Sequence, residues 1–428
     1  MIRIIDGAKE MEKIEKILSR SQMDSKEVLQ RVDEILEEVK QNGDEALLKF
    51  TQMYDKNGLT ELKVTHEEIA KAKANIDENL KNAIINAIGN ITNFHKKQIK
   101  EGFTINEGSD IMLGQMVMPI EKVGIYVPGG TASYPSTVMM NAIPANLAGV
   151  KEIIMTTPAD RDGRIKDSVL VAADLLGVTQ IYKVGGAQAI GALCYGTESI
   201  TKVDKIVGPG NIFVAMAKHK VSGLVGIDMI AGPSEVVVIA DKKANPRFIA
   251  ADLIAQAEHD KRAASIVVTD CNILAKKIQE QISIQLKTLK RSEIAEEALS
   301  EYGAIILCAN KDECFDIANS LAPEHLEILT DNPFEDYKKI KNAGAIFLGE
   351  YTPEPVGDYY AGPNHTLPTS RTARFSSALS VDDFYKKTSL LYYSKEALKK
   401  SANDIMLLAD NEGLTGHANS IKVRMEEM

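Results

Sequence analysis

The stretch VGIYVPGGTASYPSTVMMNAIPANLAGVKEIIMTT, residues 123–157, decides the fold class. It begins with a short β-branched run that ends at Pro128 and two glycines, continues with a helix-like segment, and closes with the apolar run EIIMTT. A strand, a helix and a second strand in this order predict a βαβ unit with parallel strands. Pro144 lies inside the helical segment, so we expect a kink or a split at that point.

The alternation continues in two series of strands and helices. Further strands with nearly continuous apolar character are predicted at residues 181–186, 205–210, 235–240, 265–270, 304–309, 325–330 and 345–349. Helices are predicted between them at residues 167–176, 187–195, 211–219, 246–262, 272–289, 311–321 and 334–342. Such strands are typical of parallel sheets covered by helices on both faces. The sequence therefore predicts an α/β protein with two doubly wound, incomplete Rossmann-like parallel-sheet domains and small helical N- and C-terminal segments.

The two ends of the chain are predicted to be helical, at residues 1 to about 110 and after residue 380. An apolar stripe indicates an amphipathic helix that stops near Asn42 and Gly43, and it consists of Val28, Val32, Ile35 and Val39. Thr65 and Glu68 have the spacing of a capping box and predict the start of the next helix. Three histidines in charged helical stretches are expected on the surface, namely His66, His95 and His219.

The composition argues against several classes of protein. The 428 residues carry a formal net charge of −10, which disfavours general affinity for nucleic acid or anionic membranes. No apolar stretch approaches the length of a membrane span, and the charged start MIRIIDGAKEMEKIEK is unlike a signal peptide. The four cysteines show no CxxC spacing, as is typical of free thiols in a reducing compartment. We therefore expect a cytoplasmic protein with no nucleic-acid or membrane partner.

Two glycine turns follow predicted strands and precede predicted helices. They are VGGAQAIGA (184–192) and VGPGN (207–211), and they place the amide side chains of Gln188 and Asn211 in the first turn after the glycines. Free backbone N–H groups at such a helix start can bind an anionic ligand. Neither turn matches GxGxxG, so a tight turn without a ligand is an alternative of at least equal weight.

Acid and imidazole side chains recur beside glycine, proline or another acid. Glu324 and His325 stand side by side in SLAPEHLEIL (320–329), directly before a predicted buried strand, as either an acid/base pair or a polar lip. Gln256 and His259 are three residues apart on a predicted helix, a spacing that suits zinc but more often marks an ordinary hydrogen-bond pair. Four further candidates lie towards the C-terminus, namely Asp358, His365, Glu412 and His417.

Eight motifs, in this order, resemble the histidinol dehydrogenase family. They are VGIYVPGG, VGGAQAIGALCYGT, KIVGPGN, AGPSEVVVIAD, DLIAQAEHD, APEHLEI, PVGDYYAGPNHTLPT and GLTGHANS. The resemblance covers nearly the whole chain. It implies the last step of histidine synthesis, in which L-histidinol and two NAD+ give L-histidine and two NADH with one zinc ion bound per subunit.

The resemblance also implies a role for each candidate residue. Glu324 and His325 would be the acid/base pair. The zinc ligands would be Gln256, His259, Asp358 and His417. Contacts with NAD would come from Tyr126, Gln188 and Asn211. The substrate would be held by the four zinc ligands and by Ser234, His325, His365 and Glu412.

In the family that the chain resembles, the C-terminal tail crosses to the partner subunit. The resemblance therefore implies a homodimer in which Glu412 and His417 complete the neighbour's site, with a tail that folds back on its own domain as the alternative. The expected segments are an N-terminal arm, a first α/β domain with the metal and catalytic residues, a second α/β domain that binds NAD, and a helical tail. Their boundaries are 1–22, 23–120 plus 237–379, 121–236 and 380–428, respectively.

Three alternatives use the same residues differently. A paralogous NAD- and zinc-dependent dehydrogenase would act on another small alcohol, and loss of Glu412 or His365 would favour it. Aldehyde oxidation through a thiohemiacetal would need an activated thiol, for which Cys194 beside a glycine turn is the candidate, although a buried helix residue is the plainer expectation. A non-catalytic zinc- or nucleotide-binding protein would not need the pair of Glu324 and His325.

Overall fold

A computed structural model describes residues 2–7, 9–18, 26–129, 133–178, 180–289 and 292–427. The strands found over these residues are β1 (Arg3–Asp6), β2 (Phe103–Glu107), β3 (Ile111–Pro119), β4 (Lys122–Tyr126), β5 (Glu152–Thr156), β6 (Gln180–Tyr182), β7 (Lys205–Val207), β8 (Gly226–Ile227), β9 (Glu235–Ala240), β10 (Ala264–Thr269), β11 (Ala304–Leu307), β12 (His325–Leu329), β13 (Ala345–Leu348) and β14 (Tyr385–Tyr393). The helices are α1 (Met11–Leu18), α2 (Lys26–Asp55), α3 (His66–Asn75), α4 (Glu78–His95), α5 (Pro135–Ala148), α6 (Asp167–Leu175), α7 (Gly186–Tyr195), α8 (Ile212–Val221), α9 (Pro246–Ala257), α10 (Asn272–Gln285), α11 (Ser292–Glu301), α12 (Lys311–Leu321), α13 (Pro333–Asp336), α14 (Glu354–Val356), α15 (Lys395–Asn411) and α16 (Thr415–Glu426). A π-helical turn follows α14 over Gly357–Ala361.

Two parallel sheets form the body of the protein. The five-stranded sheet has the order β6-β5-β4-β7-β8, and the six-stranded sheet has the order β1-β11-β10-β9-β12-β13. All neighbouring strands in both sheets run parallel. Apart from β1 at its edge, the six-stranded sheet repeats the order of the five-stranded one, with the first strand of each series, β4 or β9, in the centre. This order confirms the predicted doubly wound α/β class.

A third sheet is antiparallel, and local sequence patterns did not indicate it. It has the order β14-β3-β2, and its register pairs Tyr385 with Pro119. The prediction of helix up to about residue 110 is therefore wrong at Phe103–Glu107, and the prediction of helix after residue 380 is wrong at Tyr385–Tyr393. These strands pair across a long separation in sequence, and a pattern within one segment carries no information about such a partner.

Helices α2, α3 and α4 pack on the helices of the five-stranded sheet. Helix α2 contacts α7 and α8, α3 contacts α6, and α4 contacts α5. The predicted apolar stripe of α2 is buried at Val32, Ile35 and Val39. Gly43 interrupts α2 with a φ of 49°, which is the left-handed conformation that a glycine stop requires. The expected capping box of Thr65 and Glu68 is present at the start of α3.

This packing differs from the predicted grouping of segments in two places. The prediction placed residues 23–120 with residues 237–379, whereas the apolar faces of α2–α4 lie against the helices of the five-stranded sheet. The predicted N-terminal arm, residues 1–22, contains β1, which pairs with β11 and extends the six-stranded sheet. Because a domain is defined by independent folding and not by packing alone, the division into domains itself stays a prediction.

Three predicted helices end several residues earlier than expected, namely α9, α10 and α13, and α5 differs in its course through Pro144. Helix α9 ends at Ala257, so Gln256 lies in its last turn and His259 lies beyond it, with the His259 amide donating to the Gln256 carbonyl at 3.2 Å. Helix α5 runs without a split through Pro144. Burial of α5 on nearly all sides supports the helix at the position where proline removes a hydrogen bond.

His95 is buried, so its predicted place on the surface is wrong. Its side chain continues the buried stripe of α4 at helical spacing from Ile84, Ala87 and Ile91. The Nδ1 atom of His95 lies 2.7 Å from the Gln98 amide oxygen, which allows the ring to be buried with a hydrogen bond.

Candidate active site between the two parallel sheets

A cavity of about 420 Å³ lies between the two parallel sheets. On one side it is lined by loops that follow the carboxyl ends of β4 and β7, including Pro128 and Asn211. On the other side it is lined by residues that directly precede the amino ends of β9 and β12, namely Ser234 and Glu324. Further acid, amide and imidazole side chains line it, namely Gln256, His259, His325, Glu354, Asp358 and His365.

Glu324 and His325 are held at the amino end of β12. Helix α12 ends at Leu321, its C-cap residue Ala322 has a left-handed φ of 46°, and the chain then turns through Pro323 into the strand. Both side chains are buried, at 6% and 3% exposure. The Glu324 carboxylate accepts a hydrogen bond from the backbone N–H of Glu235 at 3.0 Å. This hydrogen bond to the neighbouring central strand β9 fixes the Glu324 side chain in place.

One nitrogen of the His325 ring is tied to the backbone and the other faces acids. Nδ1 lies 3.2 Å from the carbonyl oxygen of Glu235, and since a carbonyl can only accept, a neutral His325 carries its proton on Nδ1. Nε2 has no hydrogen-bond partner over the described residues and lies 3.5 Å from Asp358 Oδ1. In its neutral form an imidazole held in this way offers Nε2 as the unprotonated nitrogen that a general base requires.

Three acids crowd this imidazole. Burial raises the pKa of Glu324 to about 7 and the pKa of Glu354 to about 8. Burial alone lowers the pKa of His325, but the carboxylates of Glu354 and Glu324 raise it well above its ordinary value. Asp358 is the third acid. Three carboxyl groups around one imidazole favour the approach of a cation.

Side chains suited to a metal ion meet at the same place. One ligand atom from each of His259, Glu354 and Asp358 lies within 4.8 Å of the others. Asp358 belongs to the π-helical turn, a rare local geometry that is frequent at functional sites. Gln256 is fully buried beside Glu354. Imidazole nitrogen, carboxylate oxygen and amide oxygen are donors that zinc accepts, so the residues present fit a zinc ion.

The two C-terminal candidates lie outside the cavity of their own chain. Glu412 follows the last residue of α15, and His417 lies in the first turn of α16. Both side chains are exposed, and neither lines the cavity. The structure therefore brings together three of the predicted zinc ligands, Gln256, His259 and Asp358, and leaves His417 apart.

Two predicted substrate contacts, Ser234 and His365, do line the cavity. His365 follows the π-helical turn, and its Nδ1 atom lies 3.1 Å from the backbone carbonyl of Asp358. Its Nε2 atom is buried and has no hydrogen-bond partner over the described residues. A buried polar atom without a partner at a cavity wall is a candidate contact for a polar ligand.

The predicted NAD contacts occupy two different settings. Asn211 lines the cavity and caps α8, with its Oδ1 atom accepting from the backbone N–H groups of Phe213 and Val214. Tyr126 and Gln188 are buried at 3% and 2% exposure and do not line this cavity. They lie at the carboxyl end of β4 and in the first turn of α7, respectively. The structure thus places Asn211 at the cavity, whereas Tyr126 and Gln188 are buried and do not line it.

Glu354 is the functional candidate that the sequence analysis missed. It is 3% exposed, and it lies in the proline-flanked segment TPEPVGD, where Pro353 and Pro355 suggested only an irregular loop. A usable signal was present, because Glu354 precedes Asp358 by four residues and that spacing aligns side chains on one helical face.

None of the four cysteines lines the cavity. All four are free, and burial raises the pKa of the Cys194 thiol above its ordinary value. A raised pKa makes the thiolate scarcer, which opposes the thiohemiacetal alternative. In the described part of the chain, no helix combines the length and the apolar character needed to cross a membrane.

Two Rossmann-like sheets around a cavity that contains a buried glutamate, a histidine and further side chains suited to a metal ion are typical of an α/β oxidoreductase of the dehydrogenase type. The sequence profile described as histidinol dehydrogenase matches residues 18–425. The chain belongs to the histidinol dehydrogenase family and is an NAD-dependent oxidoreductase.

Individual relatives match over the whole chain. Histidinol dehydrogenase of Clostridium acetobutylicum is 55% identical over 428 residues, which cover 100% of this chain and 99% of the relative. Histidinol dehydrogenase of Lactococcus lactis subsp. lactis is 50% identical over 431 residues, with 100% of both chains covered. The crystal structure of histidinol dehydrogenase from Elizabethkingia anophelis superposes with a TM-score of 0.93 at 38% identity, covering 100% of this chain and 98% of that one.

Proposed function

We propose that this protein oxidises L-histidinol to L-histidine in two steps, with two NAD+ reduced to two NADH, as the last step of histidine synthesis. The observation that carries the proposal is the position of the Glu324–His325 pair opposite the metal-suited side chains of His259 and Asp358 in one cavity. The substrate has an imidazole and an amine that can bind a metal beside an alcohol carbon to be oxidised. One cavity therefore contains groups for anchoring and for proton transfer.

The two bound groups have distinct tasks. When bound, zinc supplies an anchor for the two substrate nitrogens, and NAD+ supplies the hydride acceptor. Gln256, His259, Asp358 and His417 hold the metal, one ion per subunit. Contacts with NAD come from Tyr126, Gln188 and Asn211. The four residues that hold the metal also contact the substrate. Further contacts with the substrate come from Ser234, His325, His365 and Glu412.

His325 takes the proton of the substrate hydroxyl during the first oxidation. Its Nδ1 atom is engaged with the Glu235 carbonyl, so Nε2 is the atom that accepts the proton. Glu324, whose pKa is raised by burial to about 7, then activates a water that adds to the bound aldehyde. After His325 has released the first proton to solvent, its Nε2 atom takes a second proton when the hydrated aldehyde is oxidised and the hydride passes to the second NAD+. Two oxidations with a hydration between them give the adjacent acid and base separate tasks.

The active unit is a homodimer in which the C-terminal tail of one chain completes the site of the other. The exposed positions of Glu412 and His417 support this arrangement. Large apolar side chains on the tail also lie open in the single chain, with 60% exposure for Leu407, 66% for Leu408 and 69% for Leu391. A second copy would cover such a surface.

The free cysteines support a place in the cytoplasm.

The proposal is tested by recording NADH absorbance after addition of L-histidinol, with and without a metal chelator. We expect two NADH for each histidinol consumed, and loss of activity with the chelator that added zinc restores. One NADH per histidinol would refute the second oxidation. Turnover that the chelator leaves unchanged after metal removal is verified would refute the zinc assignment. Faster oxidation of another small amino alcohol would favour the paralogous dehydrogenase.

A further inference from the structure

We propose that Glu354 is a positioning residue that holds the side-chain amide of Gln256 with its oxygen, and not its nitrogen, towards the cavity. The inference rests on the proposed zinc site and names a residue that acts on one of its ligands. Glu354 itself is assigned no bond to the metal and no step of the reaction.

The geometry of the two side chains carries the inference. Gln256 is fully buried in the last turn of α9, and Glu354 is buried at the start of α14. With the amide nitrogen towards Glu354, Nε2 donates to Oε2 at 2.9 Å and to Oε1 at 3.2 Å. The opposite orientation sets the amide oxygen against the two carboxylate oxygens of Glu354, which offer no donor when Glu354 is ionised. Hydrogen bonding therefore selects one orientation of the amide.

The selected orientation matters for metal binding. An amide binds a cation through its carbonyl oxygen, because the NH₂ group is a donor and has no available lone pair. With Nε2 engaged by Glu354, the Gln256 oxygen is the atom left for the cavity that this side chain lines. An amide without a fixed partner would populate both orientations, and only one of them could bind the metal. Partners of this kind commonly raise metal affinity by about 10–100-fold.

Glu354 is itself anchored to strand β12. Its backbone N–H donates to Oε1 of Glu327 at 3.0 Å, and Glu327 is 1% exposed on that strand. Burial and the nearby carboxylate of Asp252, which lies one helical turn before Gln256 on α9, raise the pKa of Glu327. The segment that carries Glu354 is therefore tied to β12 beside α9. Glu354 is thus held at a set distance from Gln256, as a positioning role demands.

Two substitutions at residue 354 separate a hydrogen-bond acceptor from a metal ligand. Glu354→Leu removes the acceptor at similar size, whereas Glu354→Gln keeps an oxygen that accepts from Nε2 of Gln256. Zinc affinity is measured by competition with a chelator, and the absorption spectrum of the cobalt-loaded protein reports the ligands. Gln256→Ala provides the reference spectrum for a lost ligand. Asp336→Asn, at another buried carboxylate that binds Thr330 and Lys311, is the control for removing a buried charge.

We expect Glu354→Leu to weaken zinc binding by roughly 10–100-fold and Glu354→Gln to restore it to within about threefold of wild type. The cobalt spectrum of Glu354→Gln should match wild type, and Asp336→Asn should bind zinc normally. Zinc binding as weak in Glu354→Gln as in Glu354→Leu, or a Glu354→Gln spectrum like that of Gln256→Ala, would overturn the inference in favour of direct ligation by Glu354. Wild-type affinity in Glu354→Leu would overturn it as well.

Folding and the proposed function are controlled separately. If Glu354→Leu does not fold, judged by circular dichroism, Glu354→Ala replaces it with the same expected loss of affinity. A wild-type protein that binds no zinc would refute the proposed metal site. A wild-type protein that binds zinc and oxidises histidinol, together with variants of unchanged affinity, would refute the role of Glu354 alone.

Discussion

The five-stranded and six-stranded sheets share an order of strands but face the cavity with opposite ends. The five-stranded sheet presents the carboxyl ends of β4 and β7, between which its strand order reverses. Ligands of open α/β sheets generally bind at that place. The six-stranded sheet presents the amino ends of β9 and β12. At the carboxyl ends of the same two strands, Asp241 accepts a hydrogen bond from the Asp331 amide at 2.7 Å.

This difference shows how helix dipoles can favour an anionic ligand at one sheet and a cation at the other, although both sheets have the same order of strands. At the carboxyl end of a parallel sheet the following helices begin, and helix α8 directs its positive N-terminal end to the cavity beside Asn211. At the amino end the preceding helices finish, and α9 directs its negative C-terminal end towards Gln256 and His259. The first end suits the phosphates of a dinucleotide, and the second suits a cation.

The largest expected effect tests whether proton transfer belongs to the amino end of the six-stranded sheet. We expect His325→Asn to lower turnover by about a thousandfold, because general base catalysis contributes effects of that order. Zinc content should stay at the wild-type level. His66→Asn, at an exposed histidine on α3, is the matched control and should keep full activity. If His325→Asn turned over substrate nearly as fast as the control, His325 would not be the general base.

The next prediction asks whether the C-terminal residues act in the partner's site. His325→Asn and His417→Ala are each expected to be inactive, and His417→Ala to bind zinc weakly. Random exchange of subunits makes half of the dimers mixed, and a crossed tail gives each mixed dimer one intact site, so the mixture should recover about a quarter of wild-type activity. Recovery is read from NADH formation after mixed refolding. No recovery in dimers shown to be mixed would mean that the tail serves its own chain.

A smaller effect comes from removing an asparagine N-cap in each of the two halves, at Asn211 beside the five-stranded sheet and at Asn310 beside the six-stranded sheet. Asn211→Ala should cost about 1 kcal/mol of unfolding free energy and raise the KM for NAD by roughly tenfold, because the cap is lost at the nucleotide end. Asn310→Ala removes an equivalent cap from α12, where Asn310 accepts from the Glu313 amide at 3.0 Å. The control should lose similar stability with an unchanged KM. Equal KM values for NAD in both variants would show that Asn211 makes no contact with the nucleotide.

The smallest effect concerns an uncompensated acid on the side of the five-stranded sheet. Burial raises the pKa of Asp55 to about 6, and its Oδ2 atom is buried with no hydrogen-bond partner over the described residues. The folded state therefore binds the proton more tightly than the unfolded state, and stability present below the ordinary pKa of 3.8 is lost as the pH rises through about 6.

Asp55→Asn removes this penalty. After allowance for solvent screening, we expect a gain of roughly 1 kcal/mol at pH 8 and a smaller gain at pH 5. Thermal unfolding of wild type and variant without NAD measures both. A gain that is equal at the two pH values would show that charge is not its cause.

The residues of the candidate site differed in how well the sequence predicted them. Glu324 and His325 stood out because an acid and an imidazole precede an apolar strand, and the cavity contains both. Gln256 and His259 were expected on one helix, yet α9 ends between them and a turn brings His259 to the site. Glu354 was overlooked, because its flanking prolines resemble an ordinary loop and its partners lie on α9 and β12.

By itself the sequence determined the alternation of apolar strands and helices, the glycine stops and the capping box, because each depends on residues a few positions apart. It also contained the motifs that place the chain in its family. Only the tertiary structure decided which ends of the two sheets meet, that β14 pairs with β3, and that Tyr126 and Gln188 are buried without lining the cavity. Those features depend on the packing of segments far apart along the chain, and no local pattern encodes them.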